Sequence, residues 1–268
     1  MNFKIAMTCA VFSLANIIWA CSPNKNIDNS MDNAGMKETE TIALKNFDNI
    51  HNKSNVKVVY TQDKKYSVRV AYTQNKKIRI TKEDGTLYIR NMKDKDNNNG
   101  KPLAVIYITT PDLKSIKNDG VLHLSAESLK TNSLKTTNSG VSTIKIDNIE
   151  CKNFDLNNKG VENIQGSIRS DIVSLHTSGV TNSDKLYIKG KEMHANNSGV
   201  INMNITFKGT YVSISNSGTG TINCNTDCDN LKATNSGVGK INISGTADKT
   251  DINGSGISKI NTERLNSL

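Results

Sequence analysis

Through residues 38–110 apolar and polar positions alternate, most clearly in Val56-Lys57-Val58, Val68-Arg69-Val70, Ile78-Arg79-Ile80, Leu87-Tyr88-Ile89 and the run from Val105 to Ile108. A period of two places alternate side chains on opposite faces, so each run predicts a half-buried strand. Asp84-Gly85 predicts a hairpin turn between two of them, and Lys93 to Lys101, with Asn97-Asn98-Asn99-Gly100, predicts an exposed loop. No stretch of this region carries a helical period.

Beyond Thr110 the alternation is overlaid by a longer repeat. The phrase Asn-Ser-Gly-Val, or a near copy, recurs eight times, with its glycines at Gly120, Gly140, Gly160, Gly179, Gly199, Gly218, Gly237 and Gly256, spaced 19 or 20 residues apart. So steady a period means one structural unit stacked on itself. Aligned on the glycine, apolar residues recur one position after it (Val121, Val141, Val161, Val180, Val200, Val238, Ile257). They recur four after it (Leu124, Ile144, Ile164, Met203, Ile222, Ile241, Ile260), six after it (Ala126, Ile146, Ile205, Cys224, Ile243) and six before it (Leu134, Phe154, Val173, Met193, Val212, Leu231). These columns are expected to face inward. The fourth copy breaks the pattern at Ser183, which predicts a local bulge or shift there.

Two positions before the glycine stand Asn118, Asn138, Asn158, Asn197, Asn216 and Asn235, with Thr177 and Gly254 as exceptions. Asn and Gly tolerate left-handed backbone, so this phrase is expected to be the corner of each repeat. Stacking brings each Asn amide beside the next, where a hydrogen-bonded ladder can form. One repeat cannot fold alone: its three or four buried aliphatic side chains do not offset the entropy of ordering a unit this long. Stacking supplies the missing burial. The expected fold class is all-β: a right-handed parallel β-helix of about eight 19–20-residue repeats, preceded by a β-rich N-terminal region. At about 4.8 Å per layer the first and last glycines would lie about 34 Å apart.

Several segments, in order, resemble a known family: Leu44 to Ile50, Val56 to Gln62, Val68-Arg69-Val70, Gly85 to Ile89, Ile106 to Ile116, and then the Gly-Val repeats. The chain is similar over residues 40–265 to the putative auto-transporter adhesin, head GIN domain family of bacterial exported proteins, common in Bacteroidetes. The resemblance implies a β-helical exported protein, often lipid-anchored, with a supposed adhesin role and no established catalytic residues to carry over. Asp119 stands where a small residue is usual before the first repeat glycine, a departure confined to that corner.

The N-terminus reads as an export signal. Lys4 is followed by an apolar stretch from Ile5 to Ala20, too short for a membrane span, ending in Ile18-Trp19-Ala20-Cys21. These four residues resemble a bacterial lipobox and imply lipidation at Cys21. The expected organisation is a signal peptide (1–20), a flexible tether (21–37), the β-rich part (38–110), the β-helix repeats (111–262) and a short tail (263–268). The expected location is the cell envelope, at the outer membrane, with the membrane itself as partner through Cys21.

The formal charge is +9, and removing residues 1–20, which carry Lys4 and no acid, lowers it by one. The lysines are scattered and not interleaved with aromatics, which argues against nucleic acid. Cys224 and Cys228 could close a small disulfide loop in an oxidising compartment, or remain free thiols. Neither a cofactor nor a metal site is expected.

Polysaccharide-cleaving β-helices need clustered acids on one outward strand. Here the outward columns are rich in Thr, Asn and Lys instead, including Asn204, Asn223, Asn242 and Asn261 five positions after the glycine. Asp229 and Asp248 share one column and are the sole candidate acid pair. His51, His123, His176 and His194 fall in different columns and are expected at the surface. The sequence thus points to a non-enzymatic envelope protein that binds a glycan or protein through a polar face, with oligomers possible through the β-helix ends. A carbohydrate-active enzyme and a structural or sensory periplasmic lipoprotein are the alternatives.

Overall fold

The computed structural model describes residues 38–73, 78–92, 101–255 and 257–267. Cys21, the signal and tether segments, most of the 93–101 loop and Gly256 lie outside the described residues. Among those described there is no helix.

The repeats form a parallel β-helix. Its strands are β8 (Ser115–Asn118), β9 (Val121–Lys130), β10 (Ser133–Asn138), β11 (Val141–Asn158), β12 (Val161–Thr177), β13 (Val180–Asn197), β14 (Val200–Asn216), β15 (Thr219–Asn235), β16 (Val238–Gly254) and β17 (Lys259–Ser267). From β11 to β16 each strand runs from one glycine corner to the next and pairs in parallel with the coil before and after it. Residues 259–267 continue this pairing against β16, so the tail set apart at 263–268 is mostly part of the last coil.

The inward columns four, six and six before the glycine are buried as expected: Leu124, Ile144, Phe154, Met203, Val212 and Ile241 are each at most 3% exposed. The column directly after the glycine is not. Val200 is 41% exposed, Val238 57% and Ile257 87%. Alternation explains the error, because positions four and six after the glycine share their face with position two, not position one. Position two is therefore the inward one, and it holds Leu122, Ser142, Glu162, Thr181 and Ile201, all buried. The expected bulge is present: the register shifts between Ser183 and Leu186 against β14.

The corners follow a different logic from the one expected. None of the corner Asn or Gly residues described has positive φ. Backbone bonds between coils run straight through each corner, as in Val141 N–H to Gly120 O at 2.9 Å and Ser139 N–H to Asn118 O at 2.8 Å. The carbonyl of one corner glycine thus lies against the Cα of the next, leaving no room for a Cβ. Glycine is required by close approach between layers, not by left-handed backbone.

The Asn ladder is formed. Asn118 Nδ2 donates to Asn138 Oδ1 at 2.8 Å, Asn138 to Asn158 at 2.9 Å, Asn197 to Asn216 at 2.7 Å and Asn216 to Asn235 at 2.9 Å. Thr177 takes one rung, its hydroxyl donating to Asn197 Oδ1 at 2.6 Å, and the ladder breaks between Asn158 and Thr177, where Asn158 turns instead to the Thr181 hydroxyl at 2.8 Å.

The N-terminal region extends and caps this rod. It contains β1 (Glu38–Ile42), β2 (Asn49–Lys53), β3 (Asn55–Gln62), β4 (Ser67–Tyr72), β5 (Ile78–Glu83), β6 (Thr86–Asn91) and β7 (Ala104–Thr110). β2 and β3 pair in parallel with β8 and β9, forming a further coil, and on their other side with β6 and β7, which form another. Asn52 continues the ladder by donating to Asn118 Oδ1 at 2.8 Å. Beyond these, β5 pairs antiparallel with β6, and β4 with β7 and β1. Antiparallel strands blunt what would be an open parallel edge. The Asp84-Gly85 turn joins β5 to β6 with positive φ at both residues, as a tight hairpin requires. Asp119, at the first repeat corner, accepts from the ring of His51 at 2.6 Å. His51 is 8% exposed and packs on Tyr88, so it is an interior residue of the cap rather than a surface one.

Candidate functional site

Because inward and outward positions alternate in every coil, outward residues line up in straight rows along the rod. The most regular row is Asn204, Asn223 and Asn242, followed by Asn261. Asn223 Nδ2 donates to Asn204 Oδ1 and Asn242 Nδ2 to Asn223 Oδ1, both at 2.7 Å. An amide has two N–H donors and an oxygen with two lone pairs. Each of these side chains therefore keeps hydrogen-bonding capacity after the row is made.

Two residues further along each strand runs a second outward row: Tyr187, Thr206, Asn225, Ser244 and Arg264. Between the rows the inward residues Ile205, Cys224 and Ile243 face the core, and the surface dips into a trough of about 670 Å³. The bulge after Ser183 thrusts Asp184 and Lys185 out at one end. A second register shift, between Asn242 and Ser244, brings Glu263 and Arg264 to the other. Tyr187 is 42% exposed, and the Lys185 ammonium lies 5.1 Å from its ring centroid. The sequence showed the Asn row and the break at Ser183. It did not show that the break builds the end wall of a trough, nor that Tyr187 stands beside it.

A second cleft, of about 590 Å³, gathers charge. Arg169, Lys189 and Lys208 occupy one position in three successive coils. Lys208 pairs with Asp227 at 2.7 Å, and Lys191 with Asp171 at 3.3 Å. Asp229 and Asp248 line the same cleft, in adjacent coils between the paired positions Cys228–Ala247 and Asn230–Lys249. Both are exposed, and among the described residues no group of three or more His, Cys, Asp or Glu could hold a metal ion.

Cys224 and Cys228 are both buried free thiols. Cys224 fills an inward position, and burial pushes its thiol up to about 12. A small polarisable side chain serves there as apolar filler. Inside the coil, Glu162 is 1% exposed, with neither carboxylate oxygen hydrogen-bonded among the described residues. Burial pushes its pKa up to about 7.

A β-capped parallel β-helix, in which each coil contacts only its neighbours, belongs to the class of solenoid repeat proteins. More narrowly, the chain belongs to the family described as "putative auto-transporter adhesin, head GIN domain", whose model matches residues 46–204 and 187–267. It is similar to the crystal structure of a putative adhesin from Bacteroides fragilis NCTC 9343, at 24% identity and a TM-score of 0.62, over 84% of this chain and 95% of that one. A putative adhesin from Parabacteroides merdae ATCC 43184 is similar at 18% identity and a TM-score of 0.63, over 84% and 95%. A putative lipid binding protein from Parabacteroides distasonis ATCC 8503 is similar at 18% identity and a TM-score of 0.55, over 84% and 95%. At such identities these likenesses establish the shared fold. No match is found among curated proteins. The family's description supports an adhesin-like role at the cell envelope or surface.

Proposed function

We propose that the chain is a non-enzymatic adhesin-like module, anchored to the outer membrane through a lipid on Cys21, which holds its partner against the polar Thr/Asn/Lys face of the rod. The observation that carries this reading is the outer Asn row, Asn204–Asn223–Asn242, ordered by its own hydrogen bonds on a rigid surface. Pre-ordered polar groups lose little entropy on binding, which suits a recognition surface. The lipobox-like Ile18-Trp19-Ala20-Cys21 supports the anchor. The partner is a glycan or a protein of the envelope, and the strand at the far end, β17, is a surface through which copies can associate.

The test is saturable binding of the purified chain to glycan arrays and to whole cells. Binding supports the reading. No binding to either, together with hydrolytic activity lost in an Asp229→Asn, Asp248→Asn double variant, would replace it with an enzyme. Metabolic labelling with palmitate checks the anchor: label in the parent and none in Cys21→Ser is expected, and equal labelling contradicts it.

A further inference from the structure

We propose that the trough between Asp184-Lys185 and Glu263-Arg264 is the binding site for an uncharged oligosaccharide, with Tyr187 as its stacking platform and the Asn204–Asn223–Asn242 row as its hydroxyl-binding wall. This rests on the adhesin-like reading and assigns it a place and a ligand class.

The first argument is charge. The chain carries +9 overall, yet the trough is lined by two acids, Asp184 and Glu263, and two bases, Lys185 and Arg264, all at its ends. Its middle is Asn, Thr and Ser. The neighbouring cleft, with Arg169, Lys189 and Lys208 stacked in successive coils, is where an anionic chain would be drawn. A trough neutral at its centre on a basic rod selects a ligand that is polar without charge.

The second is the arrangement of polar groups. Each Asn in the row gives part of its capacity to its neighbour and keeps the rest. Opposite it, Thr206, Asn225 and Ser244 supply hydroxyl and amide groups on the facing row. A sugar hydroxyl both donates and accepts, and such mixed donors and acceptors match it on both sides. The row repeats once per coil, about every 4.8 Å, a spacing close to that of successive sugar units in an extended chain.

The third is the aromatic ring. Tyr187 is one of few large hydrophobic side chains exposed among the described residues, and it lies at the head of the trough. An aromatic face offers apolar area to the C–H face of a sugar, and Lys185 at 5.1 Å braces the ring. The walls formed by the bulges stand four layer spacings apart, about 19 Å at about 4.8 Å each, so an oligosaccharide of three or four units fills the trough.

The experiment is titration calorimetry of the intact chain with cellotetraose, maltotetraose, mannotetraose and chitotetraose. At least one is expected to bind, with Tyr187→Ala and Asn223→Ala each weakening it at least tenfold and Lys189→Ala, in the charged cleft, leaving it unchanged. Circular dichroism confirms that each variant is folded; both trough positions are at the surface, so folding is expected to survive. If none of the four binds, or if the trough variants bind like the parent, the inference is overturned. If cells or arrays still capture the chain in that case, the adhesin-like reading stands and only the trough assignment falls.

Discussion

A Cβ placed on Gly140 would lie 2.0 Å from the carbonyl oxygen of Gly120, the same oxygen that accepts the Val141 N–H at 2.9 Å. The bond that joins the two coils is thus what forbids a side chain at the corner. The same contact recurs at Gly160, Gly179, Gly199, Gly218 and Gly237, each against the glycine one coil before.

Gly179→Ala is therefore expected to cost several kcal/mol, well above the roughly 1 kcal/mol of an ordinary substitution, because backbone must move in two coils. Gly254→Ala is the control: its nearest neighbour to a new Cβ is a side-chain oxygen at 3.7 Å, and little change is expected. Urea unfolding of both variants measures the difference. Equal, small effects would show that the layers are not in this close register.

The inner and outer Asn rows should respond differently. Asn138 is 2% exposed, accepts from Asn118 and donates to Asn158, and also donates to the Val161 carbonyl at 2.9 Å. Asn138→Ala strands those buried partners at about 1–3 kcal/mol each. Asn223→Ala breaks two bonds of similar length in the outer row, where water replaces them, and should change stability by less than about 0.5 kcal/mol. Thermal unfolding of the two variants side by side decides this, and a cost at Asn223 as large as that at Asn138 would contradict it.

Glu162 predicts a pH dependence. Its folded pKa is about 7 against an ordinary 4.5, so the folded chain holds this proton more tightly than the unfolded one. Stability from this group is fully present below about pH 4.5 and is lost as pH rises to about 7. The loss is of order 3 kcal/mol at 1.36 kcal/mol per pKa unit. Its neighbours in the same inward column, Ser142 and Thr181, are uncharged. Glu162→Gln should be the more stable form at pH 8 and show a flatter profile between pH 4.5 and 7. Superimposable profiles would mean that the carboxyl is not buried as described.

Much of this architecture is legible in the sequence because each coil repeats the same solution. The glycine phrase marks the corner, the amides announce their ladder, and Ser183 announces its bulge. Val200 and Val238 misled because a β-branched residue suits a strand on either face, so hydrophobicity alone does not fix its side. Ser142, Glu162 and Thr181 hid the true inward column, being polar in a place where an apolar residue is expected. The order of the cap, with β6 and β7 lying beyond β2 and β3, depends on pairings between distant segments that no local pattern encodes. Tyr187 gained its place only through the bulge beside it.

Stacking in register is the claim on which the rows, the ladder and the trough all depend, and disulfide trapping tests it directly. Thr143 pairs with Asn163 in the next coil, and Asn163 with Asn182 in the one after. Adjacent coils place Cα atoms about 4.8 Å apart, inside the range a disulfide spans, and coils two apart place them about twice as far, outside it. The Thr143→Cys, Asn163→Cys variant should oxidise to a cross-linked form, while Thr143→Cys, Asn182→Cys should stay reduced. Failure of the first pair to close, or ready closure of the second, would contradict the stacked-coil account.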